Sequence, residues 1–218
     1  MKPQTCAKAR ELVWGNLIHL SYNMWGDRKP HDSWIKGHPC GEDIYAKPYL
    51  RFDEPLWNEL LERMADIGMN MVVLDLGDAV RYASHPEIAV KGAWSVKKLR
   101  RELDRMRKLG LEPIPKLNFS AGHDAWLGDY SRCVSTPLYY QVCRDLIQEV
   151  SEIFDTPRFF HIGMDEETVS NQQSLLVDYV CCRLFELWWH DLQFYVDTIA
   201  ETGSRAWMWS DYAWGKGM

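Results

Sequence analysis

The sequence lacks a glycine-rich phosphate-binding loop and has no excess of basic residues. No Gly-x-Gly-x-x-Gly pattern occurs, and no glycine-rich turn follows the first predicted strand, whereas nucleotide-binding sheets carry such a turn. The 25 Lys and Arg residues are outnumbered by 31 Asp and Glu residues, which gives a formal net charge of -6. Because nucleic acid is bound through a basic surface, we expect neither a nucleic-acid partner nor a nucleotide cofactor.

A long apolar run is also missing. No window approaches the ~18 consecutive apolar residues that a membrane-spanning helix needs. Residues 1–8, which read Met-Lys-Pro-Gln-Thr-Cys-Ala-Lys, lack the apolar segment of a signal peptide. We therefore expect no membrane partner and a cytoplasmic protein, or a secreted one if this N-terminus is incomplete.

The six cysteines form no metal-binding pattern. None is spaced as Cys-x-x-Cys, and His38 with Cys40 lacks a second ligand pair, so we expect no zinc or other metal site. The even number leaves disulfides open, but the adjacent Cys181 and Cys182 fall in a predicted helix and are badly placed to bridge each other. Reduced thiols are therefore expected. The cysteines are Cys6, Cys40, Cys133, Cys143, Cys181 and Cys182.

Predicted strands and helices alternate along the chain. Strands are expected at residues 12–21, 69–76, 111–119, 158–164 and 204–212. Apolar periodicity and capping residues predict helices at residues 54–67, 96–109, 137–153 and 175–202. The first strand is expected to be largely buried. The first helix is expected to bury an apolar stripe of Leu56, Leu60, Leu61, Met64 and Ile67.

This pattern is typical of a parallel α/β fold. The strands lack the apolar-polar alternation of half-buried strands, and the helices are amphipathic, which favours a parallel sheet covered by helices. Polar residues gather after each strand while the helix-to-strand turns are short, as in a (β/α)8 TIM-type barrel whose site lies at the C-terminal face. A doubly wound sheet is the alternative fold.

The chain holds too few strands for a closed barrel. A TIM-type barrel has eight βα units in about 250 residues, whereas this chain of 218 residues supplies five predicted strands. We therefore expect a single domain, 1–218, that corresponds to a TIM-type barrel truncated to about five βα units. Its first and fifth strands would have open edges, which favours self-association.

The most informative stretch is residues 159–167, Phe-Phe-His-Ile-Gly-Met-Asp-Glu-Glu, where an apolar strand runs into adjacent carboxylates. Neighbouring side chains of a regular strand point to opposite faces. Asp165 and Glu166 can therefore share one cleft only if the strand ends at about Met164, and Gly163 favours such a bend. The alternative is an acidic loop that caps the next helix.

Residues 161–166 resemble the His-x-Gly-Gly-Asp-Glu motif at the end of the fourth barrel strand of the family-20 glycoside hydrolases, the β-N-acetylhexosaminidases. Met164 departs from that motif, which has glycine at this position. Residues 74–88 and 113–123 resemble the loops after the second and third strands of the family, and residues 209–211 (Trp-Ser-Asp) resemble its fifth strand. The resemblance therefore implies part of a glycosidase barrel.

The resemblance also implies a substrate-assisted retaining mechanism on terminal N-acetylhexosamine, in which the acetamido oxygen of the sugar attacks the anomeric carbon. Glu166 would protonate the leaving oxygen and later activate water, for which its pKa should be raised. Asp165 would orient the acetamido group and stabilise the developing positive charge. Neither role needs a metal or a cofactor. The implied substrate-binding residues are His123, His161, Asp78, Arg81, Trp209 and Asp211.

Several of these residues have simpler interpretations. His161 could be a buried core histidine rather than a partner of a carboxylate. Asp78 and Arg81 could form only a salt bridge within their loop. His123 is better placed, either to meet substrate or to position Glu166.

Two departures from the family motif motivate an alternative function. Met164 interrupts the motif, and residues 21–25 after the first strand (Ser-Tyr-Asn-Met-Trp) carry no arginine, where the family usually has one that binds sugar hydroxyls; the next arginine is Arg28. The alternative is a carbohydrate-binding or scaffold barrel without turnover. A third hypothesis, a metal-dependent barrel hydrolase, would use His19, His123, His161 and Asp211.

Overall fold

The computed structural model describes residues 12–27, 29, 32, 36, 41–174, 177 and 179–211. The strands are β1 (Gly15–His19), β2 (Met71–Asp75), β3 (Val80–Arg81), β4 (Trp94–Ser95), β5 (Glu112–Lys116), β6 (Phe159–His161) and β7 (Arg205–Trp207). The helices are α1 (Glu54–Asp66), α2 (Val96–Lys108), α3 (Pro137–Ile153), α4 (Val169–Ser174) and α5 (Phe185–Glu201). Predictions that involve residues 1–8, Arg28, His38, Cys40 and Tyr212 lie outside the described residues.

The central sheet has the strand order β1-β2-β5-β6-β7, and all of its neighbouring strands are parallel. This confirms the parallel α/β fold. The strands follow one another in chain order without the reversal of a doubly wound sheet. Strands β3 and β4 form a separate parallel pair. Within the described ranges no strand joins β7 back to β1, so this part of the chain is not a closed barrel.

Three of the predicted helices begin at residues whose side chains cap them. The side-chain oxygens of Asp53, Ser95 and Thr136 each accept a hydrogen bond from the backbone N–H three residues on, at 2.9, 3.1 and 3.3 Å. These bonds satisfy N–H groups that have no partner inside the helix. Helix α3 has the predicted bounds.

The predicted apolar stripe of α1 is partly wrong. Leu61 and Met64 are buried, but Leu56 and Ile67 are 52% and 55% exposed. Trp57 is buried instead, because its indole Nε1–H donates to Glu102 of α2 and its ring lies against neighbouring aromatic rings. The helix is therefore rotated about its axis relative to the prediction.

The prediction that the first strand is largely buried is wrong. Gly15, Asn16 and His19 are exposed, and Leu17 and Ile18 are only half-buried. The reason is position in the sheet: β1 has β2 on one side and no described strand on the other. A strand at the edge of a sheet can have the same apolar composition as a central strand and still be exposed, so composition alone did not predict its burial.

The last predicted helix begins later than expected. Helix α5 starts at Phe185, and Cys181 and Cys182 precede it in irregular backbone. The side chain of Gln172 donates to the Cys181 carbonyl at 2.5 Å and accepts from its N–H at 2.8 Å. These bonds take the place of the backbone hydrogen bonds of a helix at Cys181. Of the predicted helix, residues 175, 176 and 178 lie outside the described residues. The described free cysteines are Cys133, Cys143, Cys181 and Cys182.

The two faces of the sheet carry separate apolar clusters. Side chains alternate along a strand, so Val72 and Leu74 join the main core with the helices. Met71, Val73 and Ile114 form a smaller cluster of their own. Among the described residues, no helix is long and apolar enough to cross a membrane.

Candidate active site

The backbone bends sharply after β6. Gly163 has a φ of +70°, a conformation that glycine adopts readily, and a Cβ at this position would overlap Asn118 Oδ1. Strand β6 ends at His161, somewhat earlier than predicted, but the bend lies at the predicted glycine. The bend brings Asp165 and Glu166 to the lining of one cavity.

Met164 occupies the position where the family motif has glycine. Its φ is +65°, which is sterically unfavourable for a residue with a Cβ and explains why glycine suits this position. Its side chain is fully buried, and its Sδ lies 3.8 Å from Arg183 Nη2. The chain therefore keeps the glycine-like backbone and holds the larger side chain in the core.

The cavity has a volume of about 390 Å³ and lies where the carboxyl ends of the strands meet the following loops. One wall comes from β1 and its loop and is largely apolar or aromatic. The opposite wall comes from the segments after β5 and β6 and carries the polar groups. The lining residues are Leu17, His19, Met24, Trp25, Lys116, Asn118, His123, Asp165, Glu166 and Trp209.

Glu166 is held at the cavity from several sides. His123 Nε2 lies 3.1 Å from Glu166 Oε2, and Asn171 Nδ2 lies 3.3 Å from the same oxygen. The Glu166 N–H donates to Asp211 Oδ2 at 2.9 Å. The φ of Glu166 is +54°, so the residue is held in an unfavourable backbone conformation.

The predicted rise in the pKa of Glu166 is wrong. The hydrogen bond from His123 lowers the pKa of Glu166 below its ordinary value, and partial burial offsets this only in part. The side chain is 56% exposed, so water solvates the charged form well. Glu166 is thus an ionised carboxylate at neutral pH in the open cavity.

Asp165 has a different environment from its neighbour. Asn118 Nδ2 donates to Asp165 Oδ1 at 2.8 Å, and His123 Nε2 lies 3.6 Å from Asp165 Oδ2. The Asp165 side chain is 23% exposed, which is less than half the exposure of Glu166. The two carboxylates therefore share His123 but differ in their access to solvent.

His161 is a buried core histidine, and in the described part of the chain its ring has no hydrogen bond to a carboxylate. Its Nδ1 accepts from the Gly163 N–H at 3.0 Å, and its ring lies 5.1 and 4.7 Å from the rings of Trp207 and Trp209. Burial lowers the pKa of His161 to about 3, with a further contribution from the nearby charge of Lys116. The ring is therefore neutral, and it supports the strand end rather than the carboxylates.

The other predicted substrate-binding residues are divided between cavity and loop. Trp209 lines the cavity and is 38% exposed, and Asp211 reaches the site by accepting from the Glu166 backbone. Asp78 is buried outside the cavity lining, and burial raises its pKa to about 6. Its partners are Ser21 Oγ and Asn23 Nδ2, not Arg81, which is exposed. The four residues are therefore not one cluster.

A buried charged group at the cavity floor was not predicted from the sequence. Lys116 Nζ contacts Asp75 Oδ2, and His19 Nδ1 lies 3.0 Å from the same oxygen. Burial alone would raise the pKa of Asp75, but the charge of Lys116 and the bond to His19 hold it below its ordinary value. His19, Asp75 and Lys116 all lie near the C-terminal ends of predicted strands, and this position could have marked them as residues of the site.

A second missed group lies directly behind Glu166. Glu167 is fully buried, and its carboxylate binds Arg183 through Nη2 at 2.6 Å and Nε at 2.9 Å. Arg183 also donates to the Phe119 carbonyl at 2.7 Å and to Asp191 at 3.2 Å. These bonds tie the segment that carries Asp165 and Glu166 to α5 and to the chain after β5. No local sequence signal marked Arg183, which fell within a predicted helix.

A metal centre has no geometric support in the described part of the chain. No group of three or more His, Cys, Asp and Glu side chains is arranged there to hold an ion. His19 is bound to Asp75, and His161 faces the Gly163 backbone. The four residues of the metal-hydrolase hypothesis therefore do not converge.

No family model matches this sequence, and no curated protein matches it either. Solved structures do have a similar fold. A mutant β-hexosaminidase of Streptomyces plicatus in complex with its product, GlcNAc, has a TM-score of 0.61 and 14% identity, over 94% of this chain and 40% of that one. The GH20 exo β-N-acetylglucosaminidase of Vibrio harveyi in complex with N-acetylglucosamine has a TM-score of 0.63 and 15% identity, over 96% and 37%. The β-N-acetylhexosaminidase of Bacteroides fragilis has a TM-score of 0.58 and 14% identity, over 92% and 42%.

The chain therefore has a fold similar to that of the GH20 β-N-acetylhexosaminidases, and it spans about 40% of the length of the Streptomyces plicatus structure. This confirms, for the fold, the resemblance first noted in residues 161–166. The structural neighbours are glycosidases, so the fold is glycosidase-like.

Proposed function

We propose that this chain carries the catalytic pair of a glycoside hydrolase that removes terminal N-acetylhexosamine by a substrate-assisted retaining mechanism. The observation that carries the proposal is the placement of Asp165 and Glu166 side by side at one cavity, on a fold that resembles the GH20 hexosaminidases. His123 lies within reach of both carboxylates.

Glu166 would act as the general acid and then as the general base. In the open cavity it is ionised, because His123 stabilises its charge and water reaches it. A sugar in the cavity would exclude that water, and desolvation favours the protonated carboxyl. Substrate binding would in this way supply the raised pKa that the first step needs.

Asp165 would act on the acetamido group. Its carboxylate can accept a hydrogen bond from the acetamido N–H, which turns the acetamido oxygen toward the anomeric carbon. As that oxygen attacks, positive charge develops on the ring that forms, and a nearby anion stabilises it. The role requires a fixed carboxylate, and Asn118 binds one of its oxygens at 2.8 Å.

The first test is a comparison of turnover with binding. The purified chain is incubated with aryl N-acetylglucosaminide and aryl N-acetylgalactosaminide, and it is titrated with the two free sugars. Release of the aryl group supports the glycosidase. Full activity after exhaustive chelation would remove the metal-dependent alternative.

A carbohydrate-binding protein without turnover is the second candidate function. The described part of the cavity wall from β1 offers Met24 and Trp25, whereas Arg28 lies outside the described residues, and Glu166 is well solvated with a lowered pKa. Such a site can stack on a sugar ring without protonating its leaving group. Sugar binding with no aryl release in the same experiment would support this candidate and contradict the first.

Replacing Asp165 tests the acetamido role. We expect Asp165→Asn to lower turnover of N-acetylated substrates by about 10²-fold or more, because the developing cation loses its charged partner. The measurement is kcat/KM on the aryl N-acetyl substrates. The control is Asp145→Asn, which makes the same change outside the cavity lining. Asp145 also has a histidine partner, since its Oδ2 lies 3.2 Å from His85 Nε2. A full rate in Asp165→Asn would assign Asp165 to structure alone.

We also propose that a second copy of this chain covers the open face of the sheet. Strands β1 and β7 each lack a neighbour on one side in the described sheet. A cavity of about 320 Å³ opens on this face, and its lining includes Leu17, Trp207 and Trp209. Parallel sheets are normally covered on both faces.

Light scattering tests this self-association. We expect a dimer or larger species at high protein concentration, and we expect Trp207→Glu to shift the population toward monomer. Trp189→Glu is the matched control, because Trp189 is exposed in α5, on the helical side of the sheet. A compact, cooperatively unfolding monomer at every concentration would contradict the proposal.

A further inference from the structure

The side-chain amide of Asn118 has only one possible orientation. Its Oδ1 accepts from the Ser120 N–H at 3.1 Å and from the Met164 N–H at 3.3 Å. Backbone N–H groups can only donate, so the atom facing them must be the oxygen. The Nδ2 group therefore faces Asp165 Oδ1, at 2.8 Å.

The surroundings hold Asn118 in that orientation. The residue is 1% exposed. The backbone carbonyl of Asn118 accepts a hydrogen bond from Trp126 Nε1 at 2.9 Å. A Cβ at Gly163 would overlap Asn118 Oδ1, so the turn after β6 fits closely around the amide. Asn118 is thus fixed by the backbone of both segments that form the polar wall of the cavity.

An amide donor constrains Asp165 in a way that an ionisable partner would not. An amide nitrogen gives a hydrogen bond at every pH and never takes the carboxyl proton. The bond therefore fixes at every pH which oxygen of Asp165 faces Asn118, and it leaves Oδ2 as the oxygen that the amide does not engage. His123 Nε2 lies 3.6 Å from Oδ2, near the same opening.

We propose that Asn118 is a positioning residue that restricts Asp165 to one orientation, with Oδ2 presented to the N–H of a 2-acetamido sugar. The inference rests on the proposed function, because it names the ligand group that Asp165 meets. It deepens that function by naming Asn118 as the residue that sets the orientation of the accepting carboxylate.

The first experiment needs no sugar. Side-chain scalar couplings of Asp165, measured by NMR, report whether its χ1 angle is fixed or averaged. We expect one rotamer in the wild type and averaging over rotamers in Asn118→Ala, with far-ultraviolet circular dichroism to establish that the variant is folded. A single Asp165 rotamer in folded Asn118→Ala would overturn the proposal.

The second variant, Asn118→Asp, keeps the shape of the side chain and the oxygen that accepts from Ser120 and Met164. It places a second carboxylate beside Asp165, and two carboxylates this close share one proton. At low pH the shared proton reproduces the hydrogen bond of Asn118. As pH rises the proton is lost, and the two charges repel each other.

Binding of N-acetylglucosamine is therefore expected to become pH-dependent in Asn118→Asp. Relative to wild type at the same pH, affinity should be within about threefold at pH 5 and at least about tenfold weaker at pH 8. A parallel loss at both pH values would indicate a merely structural residue and would overturn the proposal. If Asn118→Ala does not fold, the Asp165 rotamer in Asn118→Asp at the two pH values replaces it, and a single rotamer at pH 8 would count against the proposal.

The two experiments separate failure of this inference from failure of the proposed function. If the wild type binds no N-acetylglucosamine, the proposed ligand is wrong, and the rotamer of Asp165 still decides whether Asn118 positions it. If the wild type binds the sugar while Asp165 stays ordered without Asn118, the function survives and the positioning role is contradicted.

Discussion

Glu166→Gln is expected to abolish hydrolysis while it leaves sugar binding nearly intact. The amide keeps the size of the carboxyl group and can still bond to His123, but it cannot give or take the proton. General acid-base groups typically contribute about 10²- to 10⁴-fold to a rate, and we expect a loss in that range. The measurement is kcat on aryl N-acetylglucosaminide together with the dissociation constant of the free sugar.

The chain offers a matched control in Glu87→Gln. Glu87 also has a histidine partner, with His85 Nδ1 3.0 Å from its Oε1, and hydrogen bonds lower its pKa, that from Tyr130 most. It lies outside the cavity lining. Loss of turnover in Glu166→Gln but not in Glu87→Gln would show that the effect belongs to the site. Equal turnover in wild type and Glu166→Gln would end the assignment.

The pH profile provides a further check on Glu166. Its lowered pKa means that the unliganded carboxyl loses its proton at a lower pH than an ordinary glutamate does. Because Glu166 must hold its proton to act as the general acid, the basic limb of kcat/KM, which reports the free enzyme, should follow that low value, whereas the basic limb of kcat should follow the raised value of the sugar complex. The separation of the two profiles measures the desolvation that substrate causes.

Features that depend on neighbouring residues were predictable from the sequence. Thr136 and Pro137 mark the start of α3 through a side-chain cap and a fixed φ, and both act within one turn. The bend at Gly163 was also predictable from neighbouring residues, because the adjacent carboxylates of Asp165 and Glu166 can share a cavity only where the strand stops. These predictions needed no knowledge of the sheet.

Features that depend on distant parts of the chain were not predictable in this way. The exposure of β1 follows from its place at the edge of the sheet, which its apolar composition does not encode. The lowered pKa of Glu166 depends on His123, which is brought near by the pairing of β5 with β6. The late start of α5 depends on bonds from Gln172 to Cys181. In each case a tertiary contact overrides a local preference.

Arg183 is the clearest such case, and it is expected to be the residue on which the stability of the site most depends. Its side chain is 1% exposed, and the carboxylates of Glu167 and Asp191 that it bonds are fully buried. Removing one partner of a buried ion pair leaves an uncompensated charge, which costs about 3–5 kcal/mol. Whole domains have only about 5–15 kcal/mol of stability, so this is a large fraction.

We therefore expect Arg183→Met to lower the free energy of unfolding by about 3–5 kcal/mol in urea titrations. Arg144→Met is the control, because Arg144 pairs with Glu201 at the surface and such pairs are worth about 1 kcal/mol or less. The double variant Arg183→Met with Glu167→Gln should recover part of the loss, since it also removes a buried charge. Because Glu167 adjoins Glu166, Arg183→Met should also reduce turnover in the fraction that remains folded. An unfolding free energy equal to that of Arg144→Met would show that water reaches this network and that the Glu166 segment is held by other contacts.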